Sequence, residues 1–204
     1  IKSEHLSKFK INIITLKYSE QTRSQLRRAK YQDEIDFLVR CDARNRFIRN
    51  LCTSLDGNTL TLFNFVDKHG KVLYNMLRDA NKPVFFVHGG VKGEDRDQIR
   101  QIVENEKTSI IVASYGTFST GVNIRNLHNI VFASPSKSRV RNLQSIGRGL
   151  RTADGKREAR LFDLVDDLRH KNWKNYSLEH FAERLKIYNE EEFPYKIYQV
   201  DLKE

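Results

Sequence analysis

Residues 60–87 read LTLFNFVDKHGKVLYNMLRDANKPVFFV, and this stretch decides the fold. Leu60–Val66 is apolar, rich in aromatic residues and of strand length, and Val84–Val87 is a second short apolar run. Between them, apolar residues recur at helical spacing until Pro83 ends the pattern: Val72, Leu73, Met76, Leu77 and Ala80. Continuous apolar strands that alternate with amphipathic helices are typical of a parallel sheet covered on both faces.

The same alternation continues towards the carboxyl terminus. The pattern predicts a helix around Ile99–Val103 and three further strands: Ser109–Ala113, Asn129–Ala133 and Arg160–Leu164. We therefore predict an α/β fold, a parallel sheet with helices on both faces. Right-handed crossovers place the loops that follow the strands at one edge of the sheet, where such folds bind their ligands.

The flanks are predicted to continue this architecture. Ile11–Leu16 is expected to be a strand that starts or edges the sheet, and Tyr195–Leu202 alternates as a last strand does. Apolar residues between Ile35 and Cys52 predict one long amphipathic helix. Leu178–Leu185 predicts a helix near the carboxyl terminus.

Composition narrows the class of protein. The 204 residues include 36 basic and 26 acidic residues, a net charge of +10, which favours a polyanionic partner such as nucleic acid. The apolar runs are too short to span a bilayer. Cys41 and Cys52 fit no metal spacing or disulfide framework, so a reduced, cytoplasmic compartment is expected. The chain opens without methionine and is expected to be a piece of a longer protein.

The stretch Gln144–Arg151, QSIGRGLR, carries the strongest indication of chemistry. On a helix that begins shortly before this stretch, one face is apolar and a second face carries long donors: Arg141, Gln144, Arg148 and Arg151. Gly147 and Gly149 each cost about 1 kcal/mol in a helix interior, so close backbone approach to a ligand or another domain is the better explanation for them. Guanidinium groups held in this way suit a phosphate chain. A solvated basic helix is the alternative.

QSIGRGLR resembles motif VI of the superfamily 2 helicases, and three other motifs follow the family order. Ser114–Ile124 resembles motif V, Leu62–His69 resembles motif IV, and Val87–Gly90 resembles the short loop motif between them. The resemblance covers about half the chain, residues 59–165. Within the superfamily it is greatest to phage recombination helicases of the UvsW type, with RecG-like and XPB-like motors further off.

The resemblance implies the second of two RecA-like motor domains and divides the chain into three parts. These are a strand and helix lead-in packed on the motor domain (1–56), the RecA-like helicase carboxyl-terminal core (57–168), and a carboxyl-terminal helix with an edge strand (169–204).

The resemblance also implies roles for individual residues. Arg148 and Arg151 would act as arginine fingers on the γ-phosphate of ATP, and Gln144 would help to orient the site or report its occupancy. Nucleotide contacts are expected from Gly121, Asn123 and Gly147, although many relatives carry aspartate at the position of Asn123. Contacts to the nucleic-acid backbone are expected from Lys68, His88, Gly89, Gly90, Ser114, Tyr115 and Thr117. The alternative for His88 is a packed or capping role, and for Tyr115 a core or lid role is preferred to stacking on a base.

Other elements of a complete motor are absent from the sequence. No G-x-x-x-x-G-K-[ST] motif occurs, so ATP and Mg²⁺ are expected to be held mainly by an N-terminal RecA-like domain. Asp33–Asp36 imitates the acidic DExD box, but no buried strand precedes it, and acidic residues suit a helix start.

Two polar clusters remain open at this point. Asp163, Asp166 and Asp167 follow the fifth predicted strand, where helix capping is preferred to a metal site. Basic and aromatic residues mingle in 169–176, either to bind nucleic acid or as a solvated connection with Trp173 against the sheet.

The predicted function is the carboxyl-terminal motor half of an ATP-dependent DNA helicase or translocase that acts on branched or forked DNA in recombination and repair. The alternatives are a restriction or chromatin-type translocase and a non-catalytic nucleic-acid-binding module. The chain alone, without a P-loop and acidic box, is expected not to hydrolyse ATP.

Overall fold

A computed structural model describes residues 10–88, 94–118, 126–135 and 159–204. Its sheet has seven parallel strands in the order β3-β4-β2-β5-β6-β1-β7. The strands are β1 (Lys10–Lys17), β2 (Thr59–Phe63), β3 (Val84–Val87), β4 (Ile110–Ser114), β5 (Asn129–Phe132), β6 (Arg160–Asp167) and β7 (Tyr195–Asp201).

Six α-helices lie within the described part of the chain. They are α1 (Glu20–Gln25), α2 (Tyr31–Arg40), α3 (Asp42–Ser54), α4 (Lys71–Leu77), α5 (Glu94–Asn105) and α6 (Tyr176–Glu190). A π-helical turn over Val66–Gly70 leads into α4, and a 3₁₀ turn over Tyr115–Phe118 follows β4.

Alternate side chains of the strands enter two different cores, one on each face of the sheet, except in the mostly exposed edge strand β7. Ile111 and Ala113 of β4 belong to the core covered by α5 and α6. Ile110 and Val112 of the same strand belong to the core covered by α2, α3 and α4. The predicted α/β class, a RecA-like parallel sheet with helices on both faces, is therefore confirmed.

The predicted strands are present, with two differences in extent and one in position. The strand predicted over Leu60–Val66 ends at Phe63. The amide N–H of Asn64 donates to Ser134 Oγ at 3.0 Å instead of continuing the strand ladder. The strand predicted from Arg160 continues to Asp167, and β1 lies inside the sheet, between β6 and β7. The three-part division of the chain stays a prediction.

The single long helix expected over Ile35–Cys52 was wrong, because the chain breaks at Cys41. This residue is extended (φ −66°, ψ 111°) and separates α2 from α3. The Asn45 side chain donates to the Val39 carbonyl at 3.1 Å, which satisfies one of the carbonyls freed at the end of α2. The break directs buried residues of both helices towards the same face of the sheet.

The capping role preferred for Asp163, Asp166 and Asp167, and the metal alternative, were also wrong. All three lie within β6 and accept hydrogen bonds from arginines: Asp163 from Arg184, Asp166 from Arg44, and Asp167 from Arg169. The guanidinium partners of Asp163 and Asp166 come from other segments, and that of Asp167 comes from two residues further along the chain. Within the described residues, no group of three or more His, Cys, Asp and Glu side chains is arranged to hold a metal ion.

The acidic Asp33–Asp36 stretch lies at the start of α2, as predicted. Among the described residues, no helix combines the length and apolar character that crossing a bilayer requires.

Candidate nucleotide and nucleic-acid site

The carboxyl ends of β2, β4 and β5 meet at one edge of the sheet, and Ser134 joins them there. Its Oγ accepts the Asn64 amide N–H at 3.0 Å at the end of β2. Its carbonyl accepts the Tyr115 hydroxyl at 2.9 Å, just after β4. The Asn64 side chain also donates to the Pro135 carbonyl at 2.9 Å. Segments that resemble motifs IV and V are thereby linked through the end of β5.

A buried histidine completes this network. His69 Nδ1 lies 2.5 Å from Ser134 Oγ, and Nε2 lies 2.8 Å from Asn45 Oδ1. Because the amide oxygen only accepts, Nε2 carries the proton and Nδ1 accepts from the serine hydroxyl. Burial, assisted by the charge of Arg44, lowers the pKa of His69 to about 3. The ring is neutral at physiological pH and acts as a fixed link between α3 and the strand ends.

Lys68 lies on the surface of the π-helical turn beside α2. Its Nζ is 3.1 Å from Asp36 Oδ1 and 5.7 Å from the centre of the Phe65 ring. The hydrogen bond from Lys68 is the main cause that lowers the pKa of Asp36. Part of the charge of Lys68 is therefore already neutralised within the chain, and its contact with nucleic acid stays a prediction.

His88 lies immediately after β3 and is exposed. Its ring centre is 4.6 Å from that of Phe86, so one face of the imidazole rests on the strand it follows. The packed role and the binding role both remain compatible with this position.

Ser114 is the last residue of β4, and the 3₁₀ turn that follows contains Tyr115 and the backbone of Thr117. Tyr115 packs edge-on against Phe132, with ring centres 5.7 Å apart. Together with its hydrogen bond to Ser134, this contact places Tyr115 against the core, the role preferred over base stacking for this residue.

The remaining predicted site residues lie outside the described residues. They are Gly89, Gly90, Gly121, Asn123, Gln144, Gly147, Arg148 and Arg151. Their roles stay predictions. The residues that sequence reasoning missed are Asn45, His69 and Ser134. Only their position beside the predicted motifs offered a signal, since a lone serine or histidine has no distinctive pattern.

The second open cluster, residues 169–176, follows β6 at the same edge of the sheet. Trp173 packs partly buried against the core, and its backbone pairs with that of His170. Arg169 forms an ion pair with Asp167, with Nη2 and Oδ2 2.7 Å apart. The lysines of this segment, Lys171 and Lys174, are exposed. The structure therefore combines features of both alternatives: Trp173 packs against the sheet, and Lys171 and Lys174 are exposed to solvent.

Comparison with known proteins identifies the family. Residues 42–153, more than half of the chain, match the helicase conserved C-terminal domain. The chain belongs to this helicase C-terminal domain family. The predicted resemblance to superfamily 2 helicases of the UvsW type is confirmed.

Individual relatives of this helicase domain agree with the assignment. The chain is 36% identical to the ATP-dependent DNA helicase uvsW of Enterobacteria phage T4 over 210 residues, 97% of this chain and 42% of that protein. It is 32% identical to the putative ATP-dependent helicase IRC3 of Saccharomyces cerevisiae over 106 residues, 52% of this chain and 15% of that protein. The chain thus spans less than half the length of these relatives.

Solved structures agree with the fold. The crystal structure of T4 UvsW matches 97% of this chain and 42% of that chain, with a TM-score of 0.81 and 34% identity. The type ISP restriction-modification enzyme LlaBIII, bound to DNA, matches 96% of this chain and 16% of that chain, with a TM-score of 0.58. At 15% identity, the second match shows the fold alone.

Proposed function

We propose that the complete protein is an ATP-dependent DNA helicase or translocase that acts on branched or forked DNA in recombination and repair, and that this chain is its second motor domain. The observation that carries the proposal is the 36% identity to a DNA helicase, sustained over 97% of the chain. The network around Ser134 supports it, because it ties the segments that resemble motifs IV and V to one edge of the sheet.

In this proposal, ATP lies between the two motor domains, with Arg148 and Arg151 directed at its γ-phosphate and Gln144 orienting them. Gly121, Asn123 and Gly147 approach the nucleotide. Mg²⁺ is assigned to the N-terminal RecA-like domain together with the P-loop, a motif that this sequence does not contain. Bound there, the ion neutralises charge on the phosphates.

The nucleic-acid contacts are assigned to the loops after β2, β3 and β4. Ser114, Thr117, Gly89 and Gly90 approach the sugar-phosphate backbone, and His88 adds a donor beside β3. Such contacts bind without reading base sequence. The fixed strand ends would transmit a change at the nucleotide to the nucleic acid, because Ser134 holds the ends of β2 and β4 to that of β5.

Single substitutions in the complete protein test the proposal. We expect Arg148→Ala and Arg151→Ala to lower kcat for ATP hydrolysis by about 10³- to 10⁵-fold while nucleotide binding survives. Lysine at either position should rescue poorly, because it makes no bidentate contact. Arg78→Ala, at an exposed arginine before β3, is the matched control and should leave kcat unchanged. Normal turnover in both finger variants would contradict the motor assignment.

A further inference from the structure

Two basic segments from distant parts of the sequence meet on the surface. Residues 23–31 follow β1, residues 169–176 follow β6, and neither segment contains an aspartate or glutamate. Arg23 Nη1 donates to the Arg169 carbonyl at 3.2 Å, and the rings of Tyr31 and Tyr176 lie 5.7 Å apart. We call the surface formed by these two segments the basic patch.

The basic patch carries a concentrated positive charge. Of its seven arginines and lysines, only Arg169 is paired with a carboxylate in the part of the chain that the structure describes. The other six are Arg23, Arg27, Arg28, Lys30, Lys171 and Lys174. Acidic residues surround the two segments: Glu20, Asp33, Glu34, Asp166, Asp167 and Glu179 flank them in sequence. Three of these carboxylates already have partners within the chain, since Asp166 pairs with Arg44, Asp167 pairs with Arg169 and Glu34 accepts the Tyr176 amide N–H. Glu204 lies beside the first segment, where it accepts from Ser19 and Thr22. Arg23 belongs to α1 and donates to the Tyr18 and Arg169 carbonyls, and the other five lie on the adjacent connections after α1 and β6. Charges of one sign placed together in this way suit a polyanion.

The backbone holds two of these charges in uncommon conformations. Arg28 and Lys171 have positive φ angles of 61° and 53°. Long side chains adopt this left-handed region rarely, and such positions concentrate at functional sites. Each basic side chain is thus displayed from a constrained turn of one of the two segments.

An aromatic ring lies among the charges. Tyr176 is 39% exposed and packs edge-on against Tyr31, which in turn packs edge-on against His180. A basic surface that also presents an aromatic face is suited to a single nucleic-acid strand, because phosphates contact the charges while a base stacks on the ring.

We propose that the basic patch binds the phosphate backbone of a single nucleic-acid strand and that Tyr176 stacks on one of its bases. The patch shares its edge of the sheet with Ser114 and Tyr115, because all strands are parallel. Three strand spacings separate β4 from β6, about 14 Å. The patch is therefore a contact site separate from the motif loops. It rests on the proposed function in one respect, namely that the polyanion is a nucleic acid.

The first test neutralises charge in the complete protein. The patch variant carries Lys171→Asn and Lys174→Gln. The control variant carries Arg78→Gln and Lys107→Gln, which remove the same charge from exposed residues before the amino ends of β3 and β4. Asparagine tolerates the positive φ of position 171. Binding of labelled oligo(dT) is measured by fluorescence anisotropy over a series of salt concentrations, after thermal unfolding has shown that both variants fold.

We expect the patch variant to bind about three- to tenfold more weakly, and its slope of log K against log salt to fall by about 1.4, since each phosphate contact on a single strand contributes about 0.7. The control should match the wild type. Unchanged affinity and slope in the patch variant would overturn the proposal. Reduced ATPase with unchanged affinity and slope would also overturn it and would indicate a contact with the other motor domain.

The second test concerns the stacked base. We expect Tyr176→Ala to weaken binding of oligo(dT) by roughly five- to 100-fold and to leave blunt duplex binding unchanged. Equal losses on both ligands would overturn the stacking role. ATP turnover without DNA distinguishes these variants from the Arg148 and Arg151 variants, because it should be normal in the patch variants. If the patch variants lost DNA affinity while the Arg148 and Arg151 variants kept normal turnover, the motor assignment would be wrong and the basic patch would stand.

Discussion

Arg44 and Asp166 form a bidentate ion pair in the protein interior, with Nε–Oδ1 and Nη2–Oδ2 distances of 2.8 and 3.1 Å, although 122 positions separate them. Arg44 Nη1 also donates to the Ala133 carbonyl at 2.6 Å, and the Tyr18 hydroxyl donates to Asp166 at 2.7 Å. Burial raises the pKa of Tyr18, which keeps it a donor. The pair connects α3 to β6 and to the end of β5.

Removing the guanidinium should be costly. Arg44→Met leaves Asp166 buried without its cation, so we expect the free energy of unfolding to fall by about 3–5 kcal/mol in urea titrations. Arg46→Met is the control, because Arg46 pairs with Asp42 on the surface of the same helix and should cost less than about 1 kcal/mol. A loss below about 1 kcal/mol for Arg44→Met would contradict the role of the buried pair.

Glu34 caps a helix to which it does not belong. Its carboxylate, fully buried, accepts the amide N–H groups of Tyr176 and Ser177 at 3.0 and 2.8 Å and the Ser177 hydroxyl at 2.6 Å. Glu34→Ala should lower the unfolding free energy by at least about 2 kcal/mol, since buried donors lose a charged acceptor. Asp33→Ala, at an exposed neighbour in the same turn, should change it little. Equal effects of the two substitutions would refute the capping role.

His69 should make the chain sensitive to acid. Its folded pKa of about 3 lies below the ordinary value of 6.5, so the unfolded chain binds the extra proton between these pH values. Stability contributed by the neutral ring is complete above pH 6.5 and is lost as pH falls towards 3, at up to about 1.4 kcal/mol per pH unit. In His69→Gln this slope should decrease between pH 6 and 4, measured by denaturant unfolding. Identical slopes would show that His69 does not titrate in this way.

Gly57 occupies a turn that no other residue fits well. Its φ is +81°, and an added Cβ would lie 2.6 Å from the His128 ring. Gly57→Ala should therefore destabilise the protein by more than about 1 kcal/mol, seen as a lower Tm. Gly116→Ala is the matched control, because the nearest atom to its added Cβ is Ser114 Oγ at 3.7 Å. A Tm that Gly57→Ala leaves unchanged would contradict the strain argument.

The layered α/β arrangement could be predicted because buried parallel strands are continuous apolar runs that local periodicity reveals. The break at Cys41 could not, because apolar residues keep helical spacing on both sides of it. The interior position of β1 depends on pairing with β6 and β7, and such long-range pairing leaves no local pattern. The partners of Asp163 and Asp166 were missed for the same reason, since the arginines come from α6 and α3.

For the site, the motifs located Ser114, Tyr115 and Lys68 beside strand ends, and the structure places them there. Two contacts depend on segments that are distant in sequence and close in space. Lys68 pairs with Asp36, and the network around Ser134 joins residues up to 70 positions apart. A sequence pattern of residue types does not encode such contacts. The finger residues stay predictions of the family resemblance.

The place of β1 in the sheet has a consequence for synthesis on the ribosome. Lys10 pairs in register with Arg160, so the first strand emerges 150 residues before its neighbour. At about 5–20 residues per second, this interval is roughly 8–30 s, and β7 follows later still. During that time the nascent chain carries an apolar strand with both edges unpaired, a known hazard for aggregation. Translation speed and chaperone capture should therefore affect the yield of folded protein through β1 more than through any other strand.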